Sequence, residues 1–293
     1  MYSQDNALPP HTSPMNIAIP MIIYGTAWKK DDTERLVSAA IRCGFRGIDT
    51  ACQPKHYNES GVGAGFAACL SQDLRRADLY LQSKFTSISG QDPARIPYDA
   101  SASLPEQVEQ SLAVSLRNLR TDYLDCLLLH SPLKTDEQTL DVWRAFERAI
   151  HSGTVRRLGV SNCYDLTRLK TLFNAARIKP TVLQNRFYTD TGYDTEIRAF
   201  CLHNQIRYQS FWTLSANPQL LGHRNMTDLA LHYGRTPAQI LFRYLTQIGV
   251  TPLTGTRSEI HMREDLAIAE FELAAPDCHT LAALFRSPSR VDA

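Results

Sequence analysis

The sequence has almost no net charge, since 31 basic residues stand against 30 acidic ones for a formal charge of +1. A chain that binds nucleic acid through its phosphates needs a basic surface, so the charge argues against a nucleic-acid partner. The chain also lacks the run of about 20 apolar residues that a membrane-spanning helix requires. Residues 1–15 are polar and proline-containing, without the apolar core of a secretion signal. We expect a cytoplasmic protein without a membrane partner, in which residues 1–15 are a flexible N-terminal segment.

Cysteine is present without any pattern that would make it structural. The seven cysteines are odd in number and scattered, and no two have metal-ligand spacing. Most lie in apolar stretches, which is typical of buried free thiols in a reducing compartment. Histidine and the carboxylates show no metal-ligand spacing either, so we expect no metal. The 43% hydrophobic content is enough for a large buried core and excludes general disorder.

Short apolar runs recur along the whole chain and alternate with amphipathic stretches. The runs are flat in hydropathy, which is typical of strands buried on both faces of a parallel sheet. Eight of them are present: Ile22–Tyr24, Gly47–Asp49, Leu79–Gln82, Leu124–Leu129, Val155–Val160, Val182–Gln184, Ile206–Ser210 and Val250–Leu253.

The amphipathic stretches predict helices. Ser103 with Glu106 has the spacing of a capping box, and Pro105 suits a first turn. Helices are predicted over Asp31–Cys43, Leu104–Leu119, Thr139–Ile150 and Asp277–Phe285, and another opens at Thr236–Pro237. The proline- and serine-containing stretch Thr86–Ala102 shows no periodicity, which is typical of a lid, a binding loop or a disordered segment.

Eight strand–helix units in about 250 residues predict a (β/α)8 TIM barrel with a parallel eight-stranded core. A doubly wound open sheet is the alternative, but the first strand is not followed by the glycine-rich turn of that fold. Because the runs use nearly the whole chain, we expect residues 1–293 to form a single barrel domain.

In a barrel of this kind the active site lies at the C-terminal ends of the strands. The predicted strand ends carry polar and aromatic residues of several chemical types, each from a different strand. They are Asp49, Lys84, His130, Ser161 with Asn162, Gln184 and Phe211. This combination indicates a reactive site rather than packing.

Six segments in order resemble motifs of the aldo-keto reductase family. They are GFRGIDTACQPKHYNESGVG, LQSKFT, YLDCLLLHSP, VRRLGVSNC, VLQNRFY and GRTPAQILFRYL. The resemblance extends from Gly25 to about Leu273. It implies reduction of a small aldehyde or ketone to an alcohol by hydride transfer from a nicotinamide nucleotide.

The resemblance maps the catalytic residues of the family onto Asp49, Tyr57, Lys84 and His130. It implies that Tyr57 is the proton donor and that His130 orients the carbonyl. Lys84, held by Asp49, would lower the pKa of Tyr57 from its usual value of about 10.

The loop before Tyr57 departs from the family pattern. Pro54, Lys55 and His56 lengthen it, and Tyr57 adjoins the Asn-Glu pair directly. We expect Lys55 and His56 to be solvated loop residues, and the alternative is that they line the pocket. Because of this loop, a catalytically idle nicotinamide-binding subunit remains an alternative. A lyase or cyclase that reuses Tyr57 with His130 is another.

The resemblance also implies a set of cofactor contacts. Ser161, Asn162 and Gln184 would bind the nicotinamide amide, and either Phe211 or Trp212 would stack on the ring. Trp28 would form a wall of the substrate pocket, or would be a core aromatic residue. Further contacts to the nucleotide fall on Gly25, Thr26, Leu214, Gly255, Thr256, Arg257, His261, Glu264 and Asp265.

The nucleotide end lacks two positive charges that the family usually provides for the adenosine 2′-phosphate. The corresponding positions hold Gly255 and His261. Arg257 lies between them and is able to bind a phosphate. We therefore expect NADPH as cofactor, with NADH possible, and a monomer or small homo-oligomer.

Overall fold

A computed structural model describes residues 18–285, in which eight parallel strands close into a barrel in chain order. Strand β1 pairs with both β2 and β8, which completes the ring. The strands are β1 (Ile23–Gly25), β2 (Gly47–Asp49), β3 (Tyr80–Phe85), β4 (Cys126–Leu129), β5 (Leu158–Ser161), β6 (Val182–Arg186), β7 (Arg207–Phe211) and β8 (Val250–Thr254). The predicted (β/α)8 barrel is therefore confirmed, whereas the segment 1–15 lies outside the described residues.

Helices surround the barrel and connect its strands. They are α1 (Thr33–Cys43), α2 (Glu59–Ala67), α3 (Leu104–Leu119), α4 (Asp136–His151), α5 (Leu166–Ala175), α6 (Thr195–His203), α7 (Pro218–Leu221), α8 (Arg224–Tyr233), α9 (Pro237–Gln247), α10 (Glu259–Leu266) and α11 (Ala275–Leu284). The main apolar core lies between this outer layer and the strands.

Each predicted run coincides with a strand, but most boundaries are shifted. Strand β3 continues to Phe85, three residues past the predicted end, so Lys84 lies within the strand. Leu124 and Val155 form only an isolated bridge, so β4 and β5 start later than predicted. A flat apolar pattern contains no alternation that would mark where strand pairing stops.

Local capping interactions determine where the helices begin, and some starts differ from the predicted ones. The capping box of Ser103 and Glu106 is present at the start of α3, whose bounds match the prediction. Helix α4 begins three residues before the predicted start, because the Thr135 hydroxyl accepts a hydrogen bond from the Gln138 amide. Helix α11 likewise starts at Ala275 rather than at Asp277.

The stretch Thr86–Ala102 is held in place by side chains rather than by a helix, apart from a 3₁₀ turn at Ile88–Gly90. The Tyr98 hydroxyl donates to the Thr86 carbonyl at 2.7 Å. The Gln107 amide donates to the Ala102 carbonyl at 2.8 Å. This segment is therefore an ordered support beside β3.

Close packing of α2 against the end of α3 supplies a test of the fold. A Cβ atom on Gly63 would collide with the Asn118 carbonyl and lie 2.9 Å from the Leu119 backbone. We expect Gly63→Ala to lower the free energy of unfolding by about 1–3 kcal/mol, because backbone on two helices must move apart. Urea unfolding followed by circular dichroism measures this loss.

Gly222→Ala is the matched control, because its nearest neighbour would lie at an ordinary 3.5 Å and its φ of −86° suits alanine. Equal stability of Gly63→Ala and Gly222→Ala would contradict the described packing.

Candidate active site

A buried ion pair lies at the centre of the site. Lys84 Nζ donates to both carboxylate oxygens of Asp49, at 2.7 and 2.6 Å, and to the Thr50 carbonyl at 2.9 Å. The Lys84 side chain is 1% exposed and that of Asp49 is 4% exposed. Burial lowers the pKa of Lys84, and the Asp49 carboxylate opposes that shift. The three ammonium hydrogens are all used, so Lys84 has no free donor for another group.

Two glutamine amides donate to the Asp49 carboxylate inside the barrel, and a third glutamine bonds to both of them. Gln82 and Gln184 donate to Asp49 Oδ1 at 2.7 and 2.9 Å, and both also donate to Gln209 Oε1 at 2.9 Å. Sequence reasoning missed Gln82 and Gln209. Strand alternation could have identified them, because each lies two residues before an inward-facing site residue on the same strand and so shares its face.

Tyr57 lies above the ion pair, at the end of the lengthened loop. Its ring centroid is 5.3 Å from Lys84 Nζ and 6.0 Å from the His130 ring. No residue in the described part of the chain hydrogen-bonds to its hydroxyl. Burial and then the Asp49 carboxylate raise the pKa of Tyr57. The pKa of Tyr57 is therefore shifted in the opposite direction to the lowering expected from Lys84, and burial is the main cause.

His130 follows β4 and faces the same space. Its Nδ1 lies 2.6 Å from Thr86 Oγ1, and its backbone carbonyl accepts from the Asn162 amide at 2.8 Å. Burial, the Lys84 ammonium and His56 lower the pKa of His130 to about 3. The imidazole is therefore neutral at physiological pH.

The two charged or titratable residues of the lengthened loop have different environments. Lys55 is exposed, whereas His56 is half-buried and packs on Trp28 with ring centroids 4.0 Å apart. Its Nδ1 contacts Gln53 Oε1 at 3.0 Å, and the Gln53 amide donates to the Gly90 carbonyl at 2.6 Å. Trp28 is 52% exposed, so it lies at the surface and is not a core residue.

The polar residues at the end of β5 and within β6 bond to one another. Ser161 Oγ donates to the Gln184 carbonyl at 2.7 Å, and Asn162 Nδ2 contacts Ser161 Oγ at 3.2 Å. Asn162 has a left-handed backbone with φ of 53°, which asparagine tolerates. The Gln184 amide hydrogens are used inside the barrel, and its side-chain oxygen has no hydrogen-bond partner in the described residues.

The two aromatic residues at the end of β7 have different surroundings. Phe211 is half-buried against the apolar residues of the barrel interior. Trp212 has a φ of 56° and lies under the Arg186 guanidinium, 4.0 Å from it. Leu214 packs against the main core. Phe211 is therefore the ring that faces the interior of the barrel.

The expected nucleotide contacts near β1 are largely internal. Thr26 is buried, and its hydroxyl donates to the Asp49 carbonyl at 2.9 Å. A Cβ on Gly25 would lie 3.5 Å from the Thr254 carbonyl, so the two strand ends are close together. The Thr256 carbonyl accepts from the Tyr24 hydroxyl at 2.8 Å.

A lysine that sequence reasoning missed lies beside Gly255. Lys29 comes from the loop after β1, is buried, and donates through Nζ to the Gly255 carbonyl. Burial, and then the nearby Arg257, lower the pKa of Lys29 to about 8. Arg257 forms an ion pair with Asp32 at 2.7 Å and donates to the Trp28 carbonyl at 2.9 Å. Lys29 thus lies at Gly255 with Arg257 nearby, and Arg257 is paired with one carboxylate.

The three candidates on α10 have different environments. His261 is exposed, and its amide donates to the Ser258 hydroxyl at 3.4 Å at the start of the helix. The Glu264 carbonyl accepts from the Gln239 amide at 2.9 Å. Asp265 is buried and accepts from the Thr254 hydroxyl at 2.7 Å, and burial raises its pKa to about 6. Asp265 therefore joins α10 to the end of β8.

A separate cavity of about 930 Å³ lies beside the barrel mouth, lined among others by Tyr164, Asp194 and Phe285. None of the residues Asp49, Tyr57, Lys84 and His130 lines it.

Across residues 18–285, no helix has the length and apolar character needed to cross a membrane. The seven cysteines all lie in this range and are unpaired.

Comparison with known proteins identifies relatives along most of the chain. Residues 21–285 match the model of the aldo/keto reductase family. A glyoxal reductase of Bacillus subtilis is 32% identical over 248 residues, which cover 85% of this chain and 82% of the relative. An uncharacterised oxidoreductase of the same organism, YtbE, is 31% identical over 249 residues, with the same two coverages.

A solved structure agrees with the described barrel. The crystal structure of an aldo/keto reductase from Brucella melitensis superposes with a TM-score of 0.77 at 26% identity. The match covers 91% of this chain and 95% of that one. The chain therefore belongs to the aldo/keto reductase family and is an NAD(P)H-dependent oxidoreductase that acts on carbonyl groups.

Proposed function

We propose that the protein reduces a small aldehyde or ketone to the alcohol, with NADPH as cofactor and Tyr57 as proton donor. The observation that carries the proposal is the meeting of Tyr57, Lys84 and His130 at one end of the barrel, although they come from three separate segments. A phenol and a neutral imidazole side by side are groups that donate hydrogen bonds to a carbonyl oxygen as negative charge develops on it.

The residues present fit a nicotinamide nucleotide, which supplies the hydride when bound. The side-chain oxygen of Gln184 is free to accept from the nicotinamide amide. Ser161 and Asn162 complete the polar edge of this site. Phe211 supplies the aromatic face, because it is directed into the barrel while Trp212 is engaged with Arg186.

The proton moves from the Tyr57 hydroxyl to the oxygen of the reduced carbonyl. The raised pKa keeps Tyr57 protonated throughout the physiological range, so it is ready as a donor without an activating step. The Lys84–Asp49 pair lies next to Tyr57, with Lys84 Nζ 5.3 Å from the centroid of the tyrosine ring. His130 stays neutral and orients the carbonyl by donating a hydrogen bond to it.

The phosphate end of the cofactor is assigned to Lys29 with Arg257. The family usually has a lysine at the position of Gly255. Here Lys29, from the loop after β1, supplies a positive charge beside that position. Arg257 is the second cation, although its ion pair with Asp32 must be shared with a phosphate or opened. Burial and the nearby Arg257 both disfavour the charged form of Lys29, and a bound anion would offset that effect.

The substrate class is proposed from the relatives and from the pocket wall. The glyoxal reductase at 32% identity makes small aldehydes and dicarbonyls the first compounds to test. Trp28 and His56 provide an aromatic surface on which a short apolar group is able to pack. The free thiols are compatible with the cytoplasmic location that we propose.

Tyr57→Phe tests the proton donor. We expect kcat for reduction of methylglyoxal or another reactive aldehyde to fall about 10²- to 10⁴-fold, because the variant has no proton to give. The dissociation constant for NADPH should change less than twofold. Steady-state absorbance at 340 nm and fluorescence titration measure the two quantities. Tyr233→Phe is the matched control, since this hydroxyl bonds to Asp277 on the outer layer.

Full activity in Tyr57→Phe would show that another group donates the proton. A wild-type protein that binds NADPH without oxidising it in the presence of aldehydes would be an idle subunit. Product formed without nicotinamide turnover would instead favour a lyase or cyclase.

Lys29→Met tests the phosphate assignment. We expect the dissociation constant for NADPH to rise about tenfold, equivalent to about 1.4 kcal/mol, while that for NADH changes less than twofold. In the wild type, affinity for NADPH should weaken as pH rises from 7 to 9, because Lys29 loses its proton near pH 8. That pH dependence should be smaller in Lys29→Met.

The exposed neighbour Lys30 provides the control Lys30→Met, which should bind NADPH as the wild type does. If the wild type binds NADH at least as tightly as NADPH, the assignment of a phosphate site to Lys29 and Arg257 is wrong.

A further inference from the structure

Hydrogen bonding to a carbonyl requires a particular tautomer of His130. A neutral imidazole carries one proton, on Nδ1 or on Nε2, and the hydrogen bond made by one nitrogen decides which form is present. In this structure Nδ1 contacts Thr86 Oγ1, whereas Nε2 has no hydrogen-bond partner in the described residues. Only the form with its proton on Nε2 is able to donate to a substrate.

The surroundings of Thr86 decide the direction of that contact. The Thr86 side chain is buried, and its hydroxyl has no polar partner other than His130 Nδ1 within residues 18–285. If Nδ1 donated, the Thr86 hydroxyl hydrogen would be buried without an acceptor, which costs about 1–3 kcal/mol. If Thr86 donates, no donor is left unpaired.

Thr86 is held in place by the long segment that follows β3. The Tyr98 hydroxyl and the Gln91 amide both donate to the Thr86 carbonyl, at 2.7 and 3.2 Å. The Gln91 amide also donates to the Cys52 carbonyl at 2.9 Å, in the loop that leads to Tyr57. A Cβ on Gly90 would lie 2.7 Å from Thr86 Cγ2, so the turn at Gly90 packs directly on this side chain.

We infer that Thr86 is a positioning residue for His130. Its hydroxyl donates to Nδ1 and so keeps the proton on Nε2, where it is presented to the substrate carbonyl. The segment 86–102 supports this hydroxyl through Tyr98 and Gln91, and its role is to hold the tautomer rather than to close over the substrate. The inference rests on the proposed carbonyl reduction.

Nitrogen NMR of ¹⁵N-histidine-labelled protein tests the tautomer without any assay of activity. Long-range ¹H–¹⁵N correlations, assigned by comparison with His130→Asn, should show Nε2 protonated and Nδ1 as an unprotonated hydrogen-bond acceptor at pH 7. Thr86→Ser should keep this pattern, and Thr86→Val, which is nearly the same shape, should lose the acceptor signature at Nδ1. A wild-type spectrum with the proton on Nδ1 would overturn the inference.

Kinetics of the same variants give a second readout. We expect Thr86→Val to lower kcat about 10- to 100-fold, because the donor to the developing oxyanion is no longer fixed. The dissociation constant for NADPH should stay within twofold, and Thr86→Ser should restore kcat to within about threefold. Tyr98→Phe, which removes only the support of the Thr86 backbone, should give a smaller loss and serves if Thr86→Val does not fold.

The outcomes separate the inference from the function on which it rests. If Thr86→Val, or Tyr98→Phe in its place, retains the kcat of an active wild type, the positioning role is wrong and carbonyl reduction stands. If the wild type reduces no carbonyl compound, the proposed function fails, and the NMR spectrum still reports whether Thr86 holds the tautomer.

Discussion

The buried ion pair of Lys84 with Asp49 is the interaction on which the rest of the site depends. Removing two charges from water costs several kcal/mol, and the cost is offset only when both charges keep a full set of hydrogen bonds. Here the set is complete: the Thr50 carbonyl and both Asp49 oxygens accept from the ammonium, and glutamine amides donate to the carboxylate. These groups come from β2, β3 and β6, so the pair is satisfied only when the barrel is closed.

This pair adds to the effect of burial on the groups beside it. Burial, and then the Asp49 carboxylate, raise the pKa of Tyr57, so it remains a phenol. Burial, and then the Lys84 ammonium, lower the pKa of His130, so it remains a neutral imidazole. The site therefore presents two uncharged donors over a neutralised pair, a combination suited to a substrate oxygen that gains negative charge.

The sequence predicted those parts of the site that follow from barrel geometry. Asp49, Lys84 and Gln184 lie on strands and His130 directly follows one, and a parallel barrel must bring its strand ends together. Contacts between distant loops were not predictable in the same way. Lys29 reaches Gly255 across 226 positions, and Thr86 meets His130 only through the fold of the segment after β3. A sequence pattern carries no signal for such contacts, since they depend on loop conformations that tertiary packing selects.

Hydride transfer to a carbonyl is tested most directly by following the hydride itself. The protein should be incubated with an aldehyde and NADPH labelled with deuterium at C4 of the nicotinamide, on one face at a time, and the alcohol examined by mass spectrometry. We expect one of the two labelled cofactors to place its deuterium on the carbinol carbon, one atom for each NADPH oxidised. An alcohol that carries no deuterium with either cofactor, or no alcohol at all, would contradict this expectation.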